Sequence, residues 1–257
     1  MNKLPPIDKS FWVMKIAATT LGETAGDLLS MTLAVGYAAS SSVFFGMLAV
    51  ALVFQLKAKA YKPLIYWTVI LLTSTAGTTM SDFMDRTLGL GYTKGSAILL
   101  TILACIFAYW STSDHSMSVE HIRTRKVEIL YWTAIVFSNT LGTALGDFLA
   151  DDSGLGFAGG AVLIGSLLII TVLAYFYTQI SKVLLFWIAF VLTRPFGATM
   201  GDVLTKTHEK GGLNLGTVDS SLVLASVLGI TILYTVVIQN RQKEIAVAPV
   251  SHRTIGE

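Results

Sequence analysis

The chain has 257 residues, 53% of them hydrophobic and only 13% charged, and a mean hydropathy of +0.67, so it has too few charged side chains to cover a water-soluble fold; soluble domains carry about 25%. Its formal net charge of +2 says little about partners, because most of the basic residues sit at the ends of apolar runs, and no nucleic acid is expected. A single cysteine, Cys105, excludes an intrachain disulfide and is expected to act as a small buried hydrophobe.

Apolar stretches near the length a helix needs to cross a bilayer core, about 20 residues, are expected at 11–33, 39–57, 63–88, 95–111, 129–150, 158–178, 182–206 and 218–239. The fold expected is an all-α membrane protein of eight transmembrane helices. The start is not expected to be a cleavable signal, because Pro5, Pro6 and Asp8 precede the first span and that span holds Lys15, Glu23 and Asp27. Trp12 opens this span and Asp27 follows fifteen residues later, with Gly22 five residues before the Asp. The second span is almost purely apolar. The third repeats the first as Trp67, Gly77 and Asp82, the fifth as Trp132, Gly142 and Asp147, and the seventh as Trp187, Gly197 and Asp202. Copies are spaced by 55, 65 and 55 residues. The repeats are thus 11–57, 63–111, 129–178 and 182–239, with a tail at 240–257 in a single membrane domain. The polar loop near 111–128 joins two halves.

Each copy is a two-helix hairpin, so the odd helices all run the same way. Parallel repeats about an axis along the membrane normal follow, in a pseudo-fourfold or two-plus-two bundle. Twelve basic residues lie before span one, between copies or in the tail, against Arg86, Lys94, Lys206 and Lys210 within the hairpin loops. This bias puts both termini on the cytoplasmic side. The tryptophans are expected as interfacial anchors. Fifteen residues of helix then place each Asp about 22 Å above its Trp.

On a helical wheel Thr19, Thr20 and Glu23 share a face with Asp27. The counterparts of Thr20 are Thr75, Thr140 and Pro195; those of Thr19 are Ser74, Asn139 and Arg194. Asp85 extends this stripe in the second copy. The pairs Gly22–Gly26, Gly77–Ser81, Gly142–Gly146 and Gly197–Gly201 are small residues at four-residue spacing, which lets helix backbones approach closely. Lys15 is expected to reach back toward the cytoplasmic interface, and Arg194 to pair with an Asp of an adjacent copy. Pro195 is expected to kink the seventh span. Six acids then face two bases within the spans. Buried carboxylates in excess are neutralised by protons or by a bound cation.

The donors on offer are the carboxylates of Asp27, Asp82, Asp147, Asp202 and Glu23, with Thr20, Thr75, Thr140, Asn139, Asp85, Arg194 and Lys15 in support. Oxygen ligands suit Mn2+, Mg2+ or Ca2+. No His lies in a span, and His208 in the outer loop of the fourth copy is the one imidazole placed to assist capture. The expectation is a secondary transporter of a hard divalent cation, Mn2+ favoured, coupled to protons and exporting. One alternative is a proton-coupled carrier of a small organic solute whose anionic group meets Arg194 and Lys15. Another is a non-transporting scaffold in which each acid caps a helix or pairs with a base. An enzyme is not expected, since no Ser/His/Asp or metalloprotease spacing appears. Lipid, the cation and protons are the expected partners, with a homodimer open.

The run Thr20-Leu21-Gly22-Glu23-Thr24-Ala25-Gly26-Asp27 and its three echoes resemble a family of bacterial inner-membrane proteins labelled uncharacterised membrane-anchored proteins. The resemblance spans nearly the whole chain and implies the bacterial inner membrane as its location. The same residues are more weakly similar to cation exchangers with a Glu-x-Gly-Asp-Lys-Thr/Ser signature, which handle Mn2+ or Ca2+. Here two residues separate Glu23 from Gly26, and Leu28 stands at the basic position.

Overall fold

The computed structural model describes residues 3–113, 117 and 124–247, the last six by their backbone. The expected tail beyond 247 and most of the linking loop lie outside the described residues. Among the described residues there are eight long helices and no strand. They are α1 (Lys9–Asp27), α2 (Tyr37–Lys57), α3 (Pro63–Asp82), α4 (Gly91–Ser113), α5 (Arg125–Asp147), α6 (Gly156–Tyr177), α7 (Lys182–Thr205) and α8 (Thr217–Val247). The last runs past the expected end at 239. Local chemistry sets the starts. The Asp8 carboxylate accepts from the Phe11 amide at 2.9 Å and Thr124 Oγ1 from the Val127 amide at 3.3 Å, while Pro63 occupies the first turn of α3.

Six of the helices, α2 and α4 to α8, are long and apolar enough to cross a membrane. The other two fall short for a physical reason. α1 carries Lys15, Glu23 and Asp27, and α3 carries Thr73, Ser74, Thr75, Thr78, Thr79 and Ser81, all of them buried against other helices. α1 packs on α3, α3 on α5, α5 on α7, and α7 back on α1. The outer helices do not lie chiefly on their own partners. α2, α4 and α6 pack on α3, α5 and α7, the first helix of the next copy, and α8 packs on α1. This offset interlocks the four copies. Only 17% of the apolar stretch of α2 or α8 is buried, against 67% for α5, so the outer helices present their apolar sides outward.

The helices α1, α3 and α5 do not stop at their Asp. Each opens into one wide turn closed by an i to i−5 bond: the Leu33 amide donates to Leu28 O, Leu88 to Phe83 O and Ser153 to Phe148 O, all at 2.9 Å. α7 has no such turn, and its chain leaves the helix at Lys206 in extended conformation. The second helix of every copy begins on or just after a glycine with positive φ: Gly36, Gly91, Gly156 and Gly216, between +67° and +84°.

At the opposite end the ring closes on aromatic rings, and here one expectation is corrected. Trp67, Trp132 and Trp187 are buried inside the protein rather than laid at a lipid interface, and only Trp12 is half-exposed. Each meets the aromatic residue that precedes the Trp of the previous copy. Phe11 stands 5.6 Å from Trp67, Tyr66 5.6 Å from Trp132, Tyr131 6.1 Å from Trp187, and Phe186 5.8 Å from Trp12, centroid to centroid. Tyr66 and Tyr131 share a 2.7 Å hydroxyl hydrogen bond beneath them. Cys105 is also corrected: it is exposed on the outer helix α4.

Candidate functional site

Glycine sets how closely the four inner helices approach. A Cβ on Gly22 would strike Ser74, one on Gly77 the backbone of Asn139 and Thr140, one on Gly142 the Arg194 stem, and one on Gly197 Thr19. Each glycine therefore admits the residue eight before the Asp of the next copy. One turn on, Gly26 faces Thr78, Gly146 faces Ala198 and Gly201 faces Glu23, the residue four before that Asp. All seven glycines singled out for packing are at such contacts.

The ring interior is consequently layered, one helical turn or about 6 Å per layer. Twelve residues before the Asp lie Lys15, Ile70, Ile135 and Phe190; eight before lie Thr19, Ser74, Asn139 and Arg194; four before lie Glu23, Thr78, Thr143 and Ala198. All of these are buried. The Asp layer closes the polar end, with Asp27, Asp82, Asp147 and Asp202 between 2% and 4% exposed.

Three bases enter this acidic end, and two of them correct the charge count made from the spans. Lys206 Nζ lies 2.8 Å from Asp27 Oδ2 and 3.1 Å from Asp202 Oδ1. Arg86 Nε lies 2.9 Å from Asp82 Oδ1, and Arg86 Nη2 lies 3.4 Å from Asp147 Oδ2. Both lie at the last residues of their spans, four after an Asp, and count with the hairpin loops in the charge bias of the sequence. Arg194 is fully buried and pairs with Glu23 at 2.9 Å, not with an Asp of a neighbouring copy. Thr78 Oγ1, Thr143 Oγ1 and the Ser74 carbonyl also stand within hydrogen-bonding reach of the same Nη2. Thr78 and Thr143 were missed in the sequence. Their signal was their place opposite Glu23 in the repeat.

Glu23, Asp147 and Asp202 each offer one carboxylate oxygen, and the three oxygens lie within 4.8 Å of one another. Asp27 and Asp82 stand beside them, held by Lys206 and Arg86. All five predicted carboxylates thus come together at one end of the ring, and three of them bring an oxygen within 4.8 Å of one another, close enough for one ion to reach all three.

The supporting residues divide. Asn139 Nδ2 donates to Thr73 Oγ1 at 2.9 Å, in the layer of Arg194. The hydroxyls of Thr20, Thr75 and Thr140 turn back to their own helix, donating to the carbonyls of Ile16, Leu71 and Val136. They do not join the carboxylates. Asp85 accepts from Ser81 at 3.3 Å and lies against Gly95 of α4, off the centre. His208 Nδ1 is engaged with the Gly212 carbonyl at 2.9 Å in its own loop. Pro195 lies inside α7, which continues as one helix to Thr205. Lys15 does not reach the interface: it is fully buried, its Nζ 4.0 Å from the Phe190 ring centroid.

No curated protein matches the chain, and no solved structure matches it. A family model described as Repeat of Unknown Function (DUF347) matches four times, at residues 10–61, 65–116, 130–181 and 185–240. With four copies covering most of its length, the chain belongs to the DUF347 repeat family.

Proposed function

We propose that this protein is a secondary transporter of a hard divalent cation, with Mn2+ favoured over Mg2+ and Ca2+, exporting it in exchange for protons. The supporting observation is the buried meeting of Glu23, Asp147 and Asp202 oxygens within 4.8 Å. Charge supports it as well. With these groups ionised, the carboxylates of Glu23, Asp27, Asp82, Asp147 and Asp202 outnumber by two the three bases paired with them, Arg86, Arg194 and Lys206. One divalent ion, or two protons, cancels that difference, so the two alternate without leaving a net charge in a dry site. All donors are oxygen, which selects a hard ion.

All eight helices cross the bacterial inner membrane in this reading, as parallel copies around a pseudo-fourfold axis along the membrane normal, with both termini cytoplasmic. The aromatic end then lies toward the cytoplasm and the Asp end toward the outside. The more polar helices α1 and α3 cross because the ring turns their polar faces inward, against one another and against α5 and α7.

Calorimetric titration of purified protein with Mn2+, Mg2+ and Ca2+ tests this. Saturable binding of one Mn2+ is expected, lost in Glu23→Gln, Asp147→Asn and Asp202→Asn, together with Mn2+ flux into proteoliposomes driven by a pH gradient. Absence of binding in the wild type overturns the reading.

A further inference from the structure

Below the carboxylates the ring holds an excess of hydrogen-bond donors. Lys15 stands in a layer whose other members are Ile70, Ile135 and Phe190, all fully buried. Among the described residues its Nζ has no hydrogen-bond partner, and the contact it makes is the Phe190 ring at 4.0 Å. Arg194 lies one turn further along α7 from Phe190. Thr19, one turn along α1 from Lys15, donates to the Thr193 carbonyl at 3.1 Å, so the two bases stand along one α1–α7 seam. Glu23 answers one nitrogen of Arg194. Its Nε and Nη1 have no partner among the described residues.

A buried ammonium and, one layer further along the same seam, two unpartnered guanidinium nitrogens demand an acceptor, because an unpaired charge in an apolar layer is among the most expensive arrangements in a protein. No carboxylate shares the layers of Lys15 and Arg194, where the remaining side chains are Thr19, Ser74, Asn139 and the three apolar residues. The geometry points to a binding site for a small monovalent anion held between Lys15 Nζ and Arg194 Nε and Nη1. The uncompensated charge is one, so the ligand carries one. The helices are held at glycine distance by Gly142 and Gly197, so the ligand is small, a halide or a single carboxylate group. This site is separate from the carboxylate cluster, and it stands whether or not a divalent cation binds there.

The test uses the full-length protein purified with sulfate as the sole anion, whose two charges do not match the single charge of the site. Its thermal unfolding midpoint is followed during titration with sodium bromide and, separately, sodium acetate. A saturable rise in midpoint is expected with at least one of them. Lys15→Ile, which installs the residue that copies two and three carry at this position, is expected to fold and to weaken the response at least tenfold. Mn2+ binding is measured on the same samples, so loss of the cation reading and loss of this one are told apart. A response to bromide assigns the site to an inorganic anion, and a response to acetate alone assigns it to the carboxylate of an organic solute. No saturable response in the wild type, or an undiminished one in Lys15→Ile, overturns the proposal.

Discussion

Arg86 and Lys206 occupy the same position in alternate copies, four residues after Asp82 and Asp202, and each bridges its own Asp to the Asp of the following copy. The corresponding positions in the other two copies are Met31 and Asp151. The acid layer is therefore twofold where the glycine contacts are fourfold. Both bases keep some contact with solvent, with side chains 31% and 20% exposed, whereas the acids they bridge are buried. They act as tethered cations over the mouth of the cluster.

A tethered positive charge competes with a diffusible one. Lys206→Gln and Arg86→Gln are each expected to tighten Mn2+ binding by about tenfold, which corresponds to about 1.4 kcal/mol of removed repulsion. Calorimetry on the two variants measures this. Weaker binding in both would show that the bases position the acids instead of opposing the ion.

The Glu23–Arg194 pair makes a different prediction, because it is buried on both sides. Removing one partner leaves an uncompensated charge, so Glu23→Gln and Arg194→Gln are each expected to lose about 3–5 kcal/mol of stability. The double change Glu23→Leu with Arg194→Leu recovers most of it. Chemical denaturation in detergent reads the three values, and a double variant no more stable than the singles would refute the argument.

The repeat was legible in the sequence because Trp, Gly and Asp recur at fixed distances, and glycine spacing translates directly into helix contact. The carboxylate cluster was legible for the same reason. The cations over it were legible only in part. Arg86 and Lys206 stand at the very ends of their spans, and their helical i, i+4 reach back to Asp82 and Asp202 was there to be read, but the second contact of each, to Asp147 and to Asp27, depends on the neighbouring helix. Lys15 was misread because a lysine near a helix end usually reaches for water, whereas here the aromatic end of the ring intervenes. The tryptophans were misread similarly. An aromatic at every Trp−1 position, Phe11, Tyr66, Tyr131 and Phe186, was the available sign that these rings meet one another.

Tyr61, in the loop between α2 and α3, reports on that aromatic end. Its hydroxyl accepts from Trp67 Nε1 at 3.2 Å. Burial raises its pKa to about 12, opposed by the Trp67 hydrogen bond and aided by the charge of Asp8. A raised phenol pKa means that the folded state holds the proton longer than the unfolded one. The stabilisation is complete below pH 10 and is lost as the pH climbs toward about 12. Thermal midpoints recorded from pH 9 to 12 are expected to fall less steeply in Tyr61→Phe than in wild type, and parallel curves would contradict this.

Close approach of the inner helices is the condition for every contact in the site, and Gly77 tests it most sharply. A Cβ there would stand 3.0 Å from the Asn139 carbonyl carbon and the Thr140 nitrogen, backbone atoms that cannot rotate away. Gly77→Ala must push α3 from α5, at a cost of about 1–3 kcal/mol. Gly46, on the outer helix α2, has nothing within 4 Å of the same added atom. Gly46→Ala is expected to be neutral or to gain up to about 1 kcal/mol from helix propensity. Because Asp82 and Asp147 belong to the two helices forced apart, Gly77→Ala also weakens Mn2+ binding, while Gly46→Ala leaves it unchanged. Equal unfolding midpoints and equal affinities in the two variants would show that the ring tolerates separation and that the carboxylates do not depend on it.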